Sequence, residues 1–137
     1  MSRNIKFILL ALVFFLSGCA GGNPYYNHGT DLLNNRDYHK AIPYFLESIR
    51  IDPNFAPAYV NLGNAYRGQG LSTKAPDLYK EAIRLKPDFA LAHYNLGSYY
   101  EVIGAFDAAI TSYEEAIRYG VHEPDFSRIK SFIDYNK

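Results

Sequence analysis

Tyr59-Val-Asn-Leu-Gly-Asn-Ala-Tyr66 returns 34 residues later as His93-Tyr-Asn-Leu-Gly-Ser-Tyr-Tyr100. An eroded copy, Tyr25-Tyr-Asn-His-Gly-Thr-Asp-Leu32, stands 34 residues before it. The residues that follow repeat at the same interval: Ala41, Ala75 and Ala109; Phe45, Tyr79 and Tyr113; Ser48, Ala82 and Ala116; Arg50, Arg84 and Arg118. A fixed period in this range marks a solenoid of helical hairpins, because one such hairpin cannot bury its apolar face alone and must stack on its neighbours. The sequence therefore predicts an all-α chain, built as an α-solenoid of three hairpins.

Tyr59, Leu62, Gly63 and Tyr66, followed by Ala75, Tyr79, Ala82 and Pro87, resemble the tetratricopeptide repeat. The resemblance implies units at 24–55, 56–89 and 90–124, each with a helix A and a helix B, and a capping helix at 125–137. The glycine and the small alanines let helices A and B approach closely, and the aromatic positions are expected to fill the space between successive hairpins. Pro53 and Pro87 end the B helices, since proline cannot continue a helix and restricts the residue before it. Asn54 and Asp88 are then the expected N-caps of the next A helices, and Asn23-Pro24 the N-cap and first residue of the first.

The units also differ. His28 replaces Leu62 and Leu96, which predicts a weaker core in the first hairpin. Pro76 falls in a first helical turn, whereas Pro43 lies deeper and is expected to kink its helix. The third unit carries an insertion, Tyr119-Gly-Val-His-Glu123, that ends its helix B at Gly120. Beyond it, Phe126, Ile129, Phe132 and Ile133 form the apolar face of the cap, with Arg128, Lys130, Ser131 and Asp134 on the opposite, polar face.

The first eighteen residues have another character. Arg3 and Lys6 precede an apolar run from Phe7 to Leu16. Ten helical residues cover about 15 Å, half the hydrocarbon thickness of a bilayer, which suits a secretory signal rather than a span. Leu16-Ser-Gly-Cys19 resembles the bacterial lipobox, which implies a signal peptide over 1–18 and a lipidated Cys19 that leads a short tether, 19–23. Two or more acyl chains anchor stably at about 0.8 kcal/mol per buried CH2. The expected location is the bacterial cell envelope, in the outer membrane facing the periplasm if the cell is Gram-negative, since Ala20 is not acidic.

Fourteen basic and fourteen acidic side chains give no cationic footprint for nucleic acid, and one cysteine permits no internal disulfide. No nucleophile elbow, phosphate loop, dinucleotide fingerprint or zinc-protease motif is present, and His28, His39, His93 and His122 lack paired ligand spacing. His93 takes the place of Tyr25 and Tyr59, so packing is its expected role. The sequence predicts no enzyme, no metal and no cofactor.

What is left is the concave face, which the resemblance assigns to the A helices. It places there Tyr26, Asn27, Thr30 and Leu33; Val60, Asn61, Asn64 and Arg67; and Leu91, Tyr94, Asn95, Ser98 and Glu101. The ladder of Asn27, Asn61 and Asn95 offers side-chain amides able to pair with a peptide backbone of any sequence. The cationic residues of the family's carboxylate clamp are missing, since Tyr26, Leu91 and Asn95 stand at those positions. The expected partner is an extended segment or a helix of another envelope protein. Sugar stacking on Tyr26 and Tyr94, as in peptidoglycan binding, is the alternative. Self-association through the first hairpin is a third expectation.

Overall fold

The computed structural model describes residues 23–121 and 125–137, and every regular element among them is helical. Seven α-helices follow in order: α1 Pro24–Asn34, α2 Tyr38–Ile51, α3 Ala56–Gly68, α4 Ala75–Leu85, α5 Ala90–Val102, α6 Phe106–Arg118 and α7 Asp125–Asn136, with a single 3-10 turn at Ser72–Lys74. The signal and lipidation motifs, Cys19 among them, lie outside the described residues. None of the described helices is long and apolar enough to cross a membrane.

Helices α1/α2, α3/α4 and α5/α6 pair as hairpins, and α2 packs on α3, α4 on α5 and α6 on α7. Glycine sets the closeness of each pair. A Cβ at Gly29 would lie 2.9 Å from the Phe45 ring, and at Gly63 or Gly97 it would lie 2.6 Å from the rings of Tyr79 or Tyr113. The aromatic position therefore sits against the glycine of its own hairpin and also fills the space to the next one, as the sequence suggested. Phe45, Tyr79 and Tyr113 are fully buried, and the Phe45 cluster continues into Leu62 and Ala65 of the next hairpin.

Asn23 caps α1: its Oδ1 accepts from the Tyr26 amide at 3.2 Å, and its Nδ2 donates to Ser48 Oγ at 2.8 Å, tying the start of α1 to α2. The other two caps differ from expectation. Helices α3 and α5 begin one residue later, with Phe55 and Phe89 at the cap positions and no side-chain cap. The Asn54 amide instead donates to Asp52 Oδ1 at 3.0 Å, within the tight turn after Pro53. Pro76 lies in the first turn of α4, where a missing N–H leaves no bond unmade. Pro43 lies inside α2, which runs on from Tyr38 to Ile51 as one helix.

His28 is exposed and meets the Tyr44 ring edge-on at 4.4 Å. Its equivalents, Leu62 and Leu96, are buried; Leu62 clusters with Phe45 and Ala41 of the preceding hairpin. The position faces the hairpin before it, and α1 has none before it among the described residues. A histidine there is tolerated because it is not a core residue.

The turns inside the hairpins share one geometry. Gly70 and Gly104 have φ of +85° and +75°, and Arg36, at the same place in the first hairpin, has φ of +62°. In each, the amide two residues past the last helical turn returns to a carbonyl: Asp37 to Leu32, Leu71 to Tyr66, Ala105 to Tyr100. Gly120, at φ +90°, ends α6 in the same way. A side chain in this region costs about 1–2 kcal/mol, part of which returns as greater freedom of the unfolded chain when glycine replaces it. Arg36→Gly is therefore expected to stabilise the protein by about 0.5–1 kcal/mol, read as a higher denaturant midpoint. An unchanged or lower midpoint would show that the Arg36 side chain compensates for its backbone.

Candidate functional site

The three asparagines of the ladder occupy one register position but three different environments. Asn61 Nδ2 donates to the Tyr26 hydroxyl and to Thr30 Oγ1, both at 3.2 Å, and so bridges α3 to α1. Asn95 is 6% exposed, and Ile129, next in the series on α7, is fully buried. This position thus faces the preceding A helix. Asn27 is exposed because no A helix precedes it among the described residues. Of the three, Asn61 is the one whose amide bonds to the hairpin before it.

Val60 belongs to the core, fully buried beside Tyr79 and Leu96, not to the open face on which the repeat register placed it. A β-branched aliphatic side chain at the crossing of α3 with its neighbours is simply covered. Tyr26 is half-buried, edge-on to Phe55 at 4.9 Å and tilted against Phe45 at 6.0 Å. Leu33 packs on the same cluster, and Thr30 Oγ1 donates to the Tyr26 carbonyl at 2.8 Å.

The accessible part of the face lies between α3 and α5. Asn64 and Arg67, one turn apart on α3, are half-buried, as is Ser98 on α5, and Leu91 is 45% exposed at the start of α5. Asn64 Oδ1 accepts from the Tyr79 hydroxyl at 2.8 Å, and Arg67 Nη2 donates to Ser98 Oγ at 3.3 Å. Burial pushes the Tyr79 hydroxyl above the ordinary tyrosine range, with Arg67 acting in the opposite direction. It remains a neutral donor at physiological pH. Asn95 Nδ2 is buried and has no hydrogen-bond partner.

The C-terminal end of the face is closed by a charge cluster. Arg128 Nη1 donates to Glu101 Oε2 at 3.0 Å and its Nη2 to the Tyr113 hydroxyl at 2.7 Å, while that hydroxyl donates to Glu101. The guanidinium also lies 5.6 Å from the Tyr94 ring centre and 5.3 Å from that of Tyr113, and the Tyr94 hydroxyl donates to Asp125 at 2.9 Å. Burial, reinforced by the Glu101 hydrogen bond, drives the Tyr113 hydroxyl well above the ordinary tyrosine range. The sequence set Arg128 on the outer polar face of the last helix. Arg128 is exposed there, as expected, and its number explains its reach to Glu101: it follows Tyr94 by one repeat, so α7 continues the register of the A helices.

His93 does the work of Tyr59. Tyr59 Oη donates to the Pro53 carbonyl at 2.9 Å; His93 Nε2 pairs with the Pro87 carbonyl at 2.8 Å and, since a carbonyl only accepts, carries the proton. The ring lies 5.3 Å from that of Tyr119. Its role is to fasten the turn before α5.

Comparison with known proteins agrees with this architecture. A family model described as "Tetratricopeptide repeat" matches residues 26–88 and again 62–123. The crystal structure of MamA is 27% identical with a TM-score of 0.65; the match covers 77% of this chain and 59% of that one, so this chain spans about three fifths of MamA's length. The second TPR of Spaghetti (RPAP3), bound to the HSP90 peptide SRMEEVD, is 20% identical with a TM-score of 0.67, over 71% of this chain and 90% of that one. The first TPR of the same protein, bound to the same peptide, gives 15% and 0.73, over 81% and 89%. These last two share the fold. A search of curated proteins finds no match.

Proposed function

This chain belongs to the tetratricopeptide repeat family, and from that premise we propose that it is a membrane-anchored adaptor that holds a segment of another envelope protein along the α3–α5 face. Proteins of this family are generally interaction modules. The observation that carries the reading is the polar strip of that face: half-buried Asn64, Arg67 and Ser98 beside the exposed Leu91. An extended peptide supplies carbonyls and amides at regular spacing, which amide, hydroxyl and guanidinium side chains can pair with. The fold relatives carry peptides in their own structures, which supports the same use here.

The glycan alternative is less well supported. A sugar stacks on a free aromatic face, yet Tyr26 is wedged among Phe45 and Phe55, and Arg128 lies over Tyr94. The membrane anchor rests on the sequence of residues 1–19.

Two experiments address partner and anchor. The full chain and a Leu91→Asp/Ser98→Trp variant are used to capture proteins from detergent-solubilised bacterial envelope, after matched thermal melts establish that both are folded. The expected result is a partner retained by the first and reduced at least tenfold by the second. Equal retention by both would refute the groove. In cells fed labelled palmitate, Cys19→Ser is expected to take up no label and to leave the membrane fraction; label on that variant would refute the anchor.

A further inference from the structure

We infer that the chain pairs with a second copy of itself through an apolar corner at the C-terminal end of the array, formed by Val102, Ile103, Phe106 and Tyr135. Val102 and Tyr135 are 76% and 89% exposed, and Ile103 and Phe106 stand half open. The first three share one tight turn, from the end of α5 to the start of α6. Tyr135 joins them through α7: the Phe106 ring meets that of Phe132 at 6.0 Å, and Tyr135 lies one turn past Phe132 on the same side of the helix. The fold does not require these residues. Where the third hairpin has Val102-Ile103, the second has Gly68-Gln69 and the first Asn34-Asn35. All three turns nevertheless close with the same bond, from the amides of Ala105, Leu71 and Asp37 to the carbonyls of Tyr100, Tyr66 and Leu32. Tyr135 likewise stands in register with two charged residues, Arg67 and Glu101.

Charge and area point to a copy of this chain as the occupant. An apolar patch that binds a bilayer surface is flanked by free cations. Here Arg128 is paired with Glu101 and Lys137 with Glu114, while Lys130 stands on another face of α7. Asp107, beside Phe106, is exposed and pairs with no cation among the described residues. A two-fold pair uses one patch twice, so its centre must carry no charge that meets itself, and all four residues of the corner are uncharged. Their open surface is roughly 500 Å², at the upper end of what a monomer leaves in water. Joining two corners covers about 1,000 Å², the lower bound of a specific interface, so the pair is weak and reversible. The sequence set self-association at the first hairpin instead. That end is polar: Asn27, His28 and Asp31 are exposed where Asn61, Leu62 and Ala65 meet the hairpin before them.

The test uses cells producing the full chain under two different tags, with one cysteine added per variant and a bismaleimide crosslinker. Ile103→Cys and Tyr135→Cys probe the corner. Gln69→Cys and Asn35→Cys, at the place of Ile103 in the other two turns, are the controls, and the parent chain with Cys19 is the blank. The expected result is a product of twice the chain mass carrying both tags from each corner variant, at least tenfold above controls and blank. Adding Val102→Lys to Ile103→Cys is expected to lower that product at least tenfold. Because residue 102 is exposed, the melting temperature should be kept, which separates lost pairing from lost folding. Equal product at Asn35, Gln69 and Ile103 would reduce the pair to random collision and overturn it. So would no product at the corner, a product unmoved by Val102→Lys, or one that joins this chain to a different protein.

Discussion

Gly63→Leu is expected to abolish the cooperative melt of the array. Even the first atom of a side chain has no room: a Cβ at residue 63 would lie 2.6 Å from Tyr79 Cε1 and 3.1 Å from Cζ. The Tyr79 ring cannot retreat, because it is fully buried and its hydroxyl is held by Asn64 Oδ1 at 2.8 Å. Gly63→Ala places only that one atom there. Its clash, of order 3 kcal/mol, is offset by the roughly 1 kcal/mol that alanine gains over glycine inside a helix, for a net loss of about 2 kcal/mol. Leucine adds three more carbons to a space with none, at a cost comparable to the whole stability of a domain of this size. Gly70→Ala is the internal control. Its Cβ would meet nothing within 4 Å, so it should cost only the strain of φ +85°, about 1–2 kcal/mol. A Gly63→Leu protein that melts near the native temperature would show that the hairpin does not close on glycine.

The same contact shows what a sequence of this kind reveals. Gly29, Gly63 and Gly97 share one interval with Phe45, Tyr79 and Tyr113, so the pairing of helices follows from residue spacing alone. Periodicity says which residues are equivalent. It does not say which neighbour each one faces, and the candidate site depended on that. Asn27, Asn61 and Asn95 are equivalent, yet one is exposed, one is bonded to the hairpin before it, and one is buried with a free donor. The difference lies in the residue opposite: Tyr26 supplies a hydroxyl to Asn61, whereas the same position opposite Asn95 holds Val60, which has nothing to accept with. The partners of Arg128 were hidden for a related reason. Helical periodicity of α7 alone puts it outside, and only its register with Tyr94 brings it against Glu101.

That register also sets the second large effect, Ile129→Ala. Ile129 stands where the earlier A helices carry asparagine, is fully buried, and closes the cluster of Ile110, Tyr113 and Ile133 at the end of the solenoid. Removing its three outer carbons loses their transfer free energy and leaves a cavity that α7 fills poorly, because that helix touches the rest of the array mainly along α6. A loss of about 3–4 kcal/mol is expected. Since each repeat contacts only its neighbours, this loss should not spread evenly. Amide exchange is expected to quicken in α6 and α7, and less in α5, with α1 and α2 nearly unchanged. Arg128→Met, by contrast, should cost about 1 kcal/mol, because the Arg128 and Glu101 side chains are 43% and 30% exposed and water can take over the carboxylate. If the two variants lose equal stability, the cluster of charges rather than the isoleucine holds α7 in place. If Ile129→Ala quickens exchange uniformly from α1 to α7, the array unfolds as one body and the nearest-neighbour account of its stability fails.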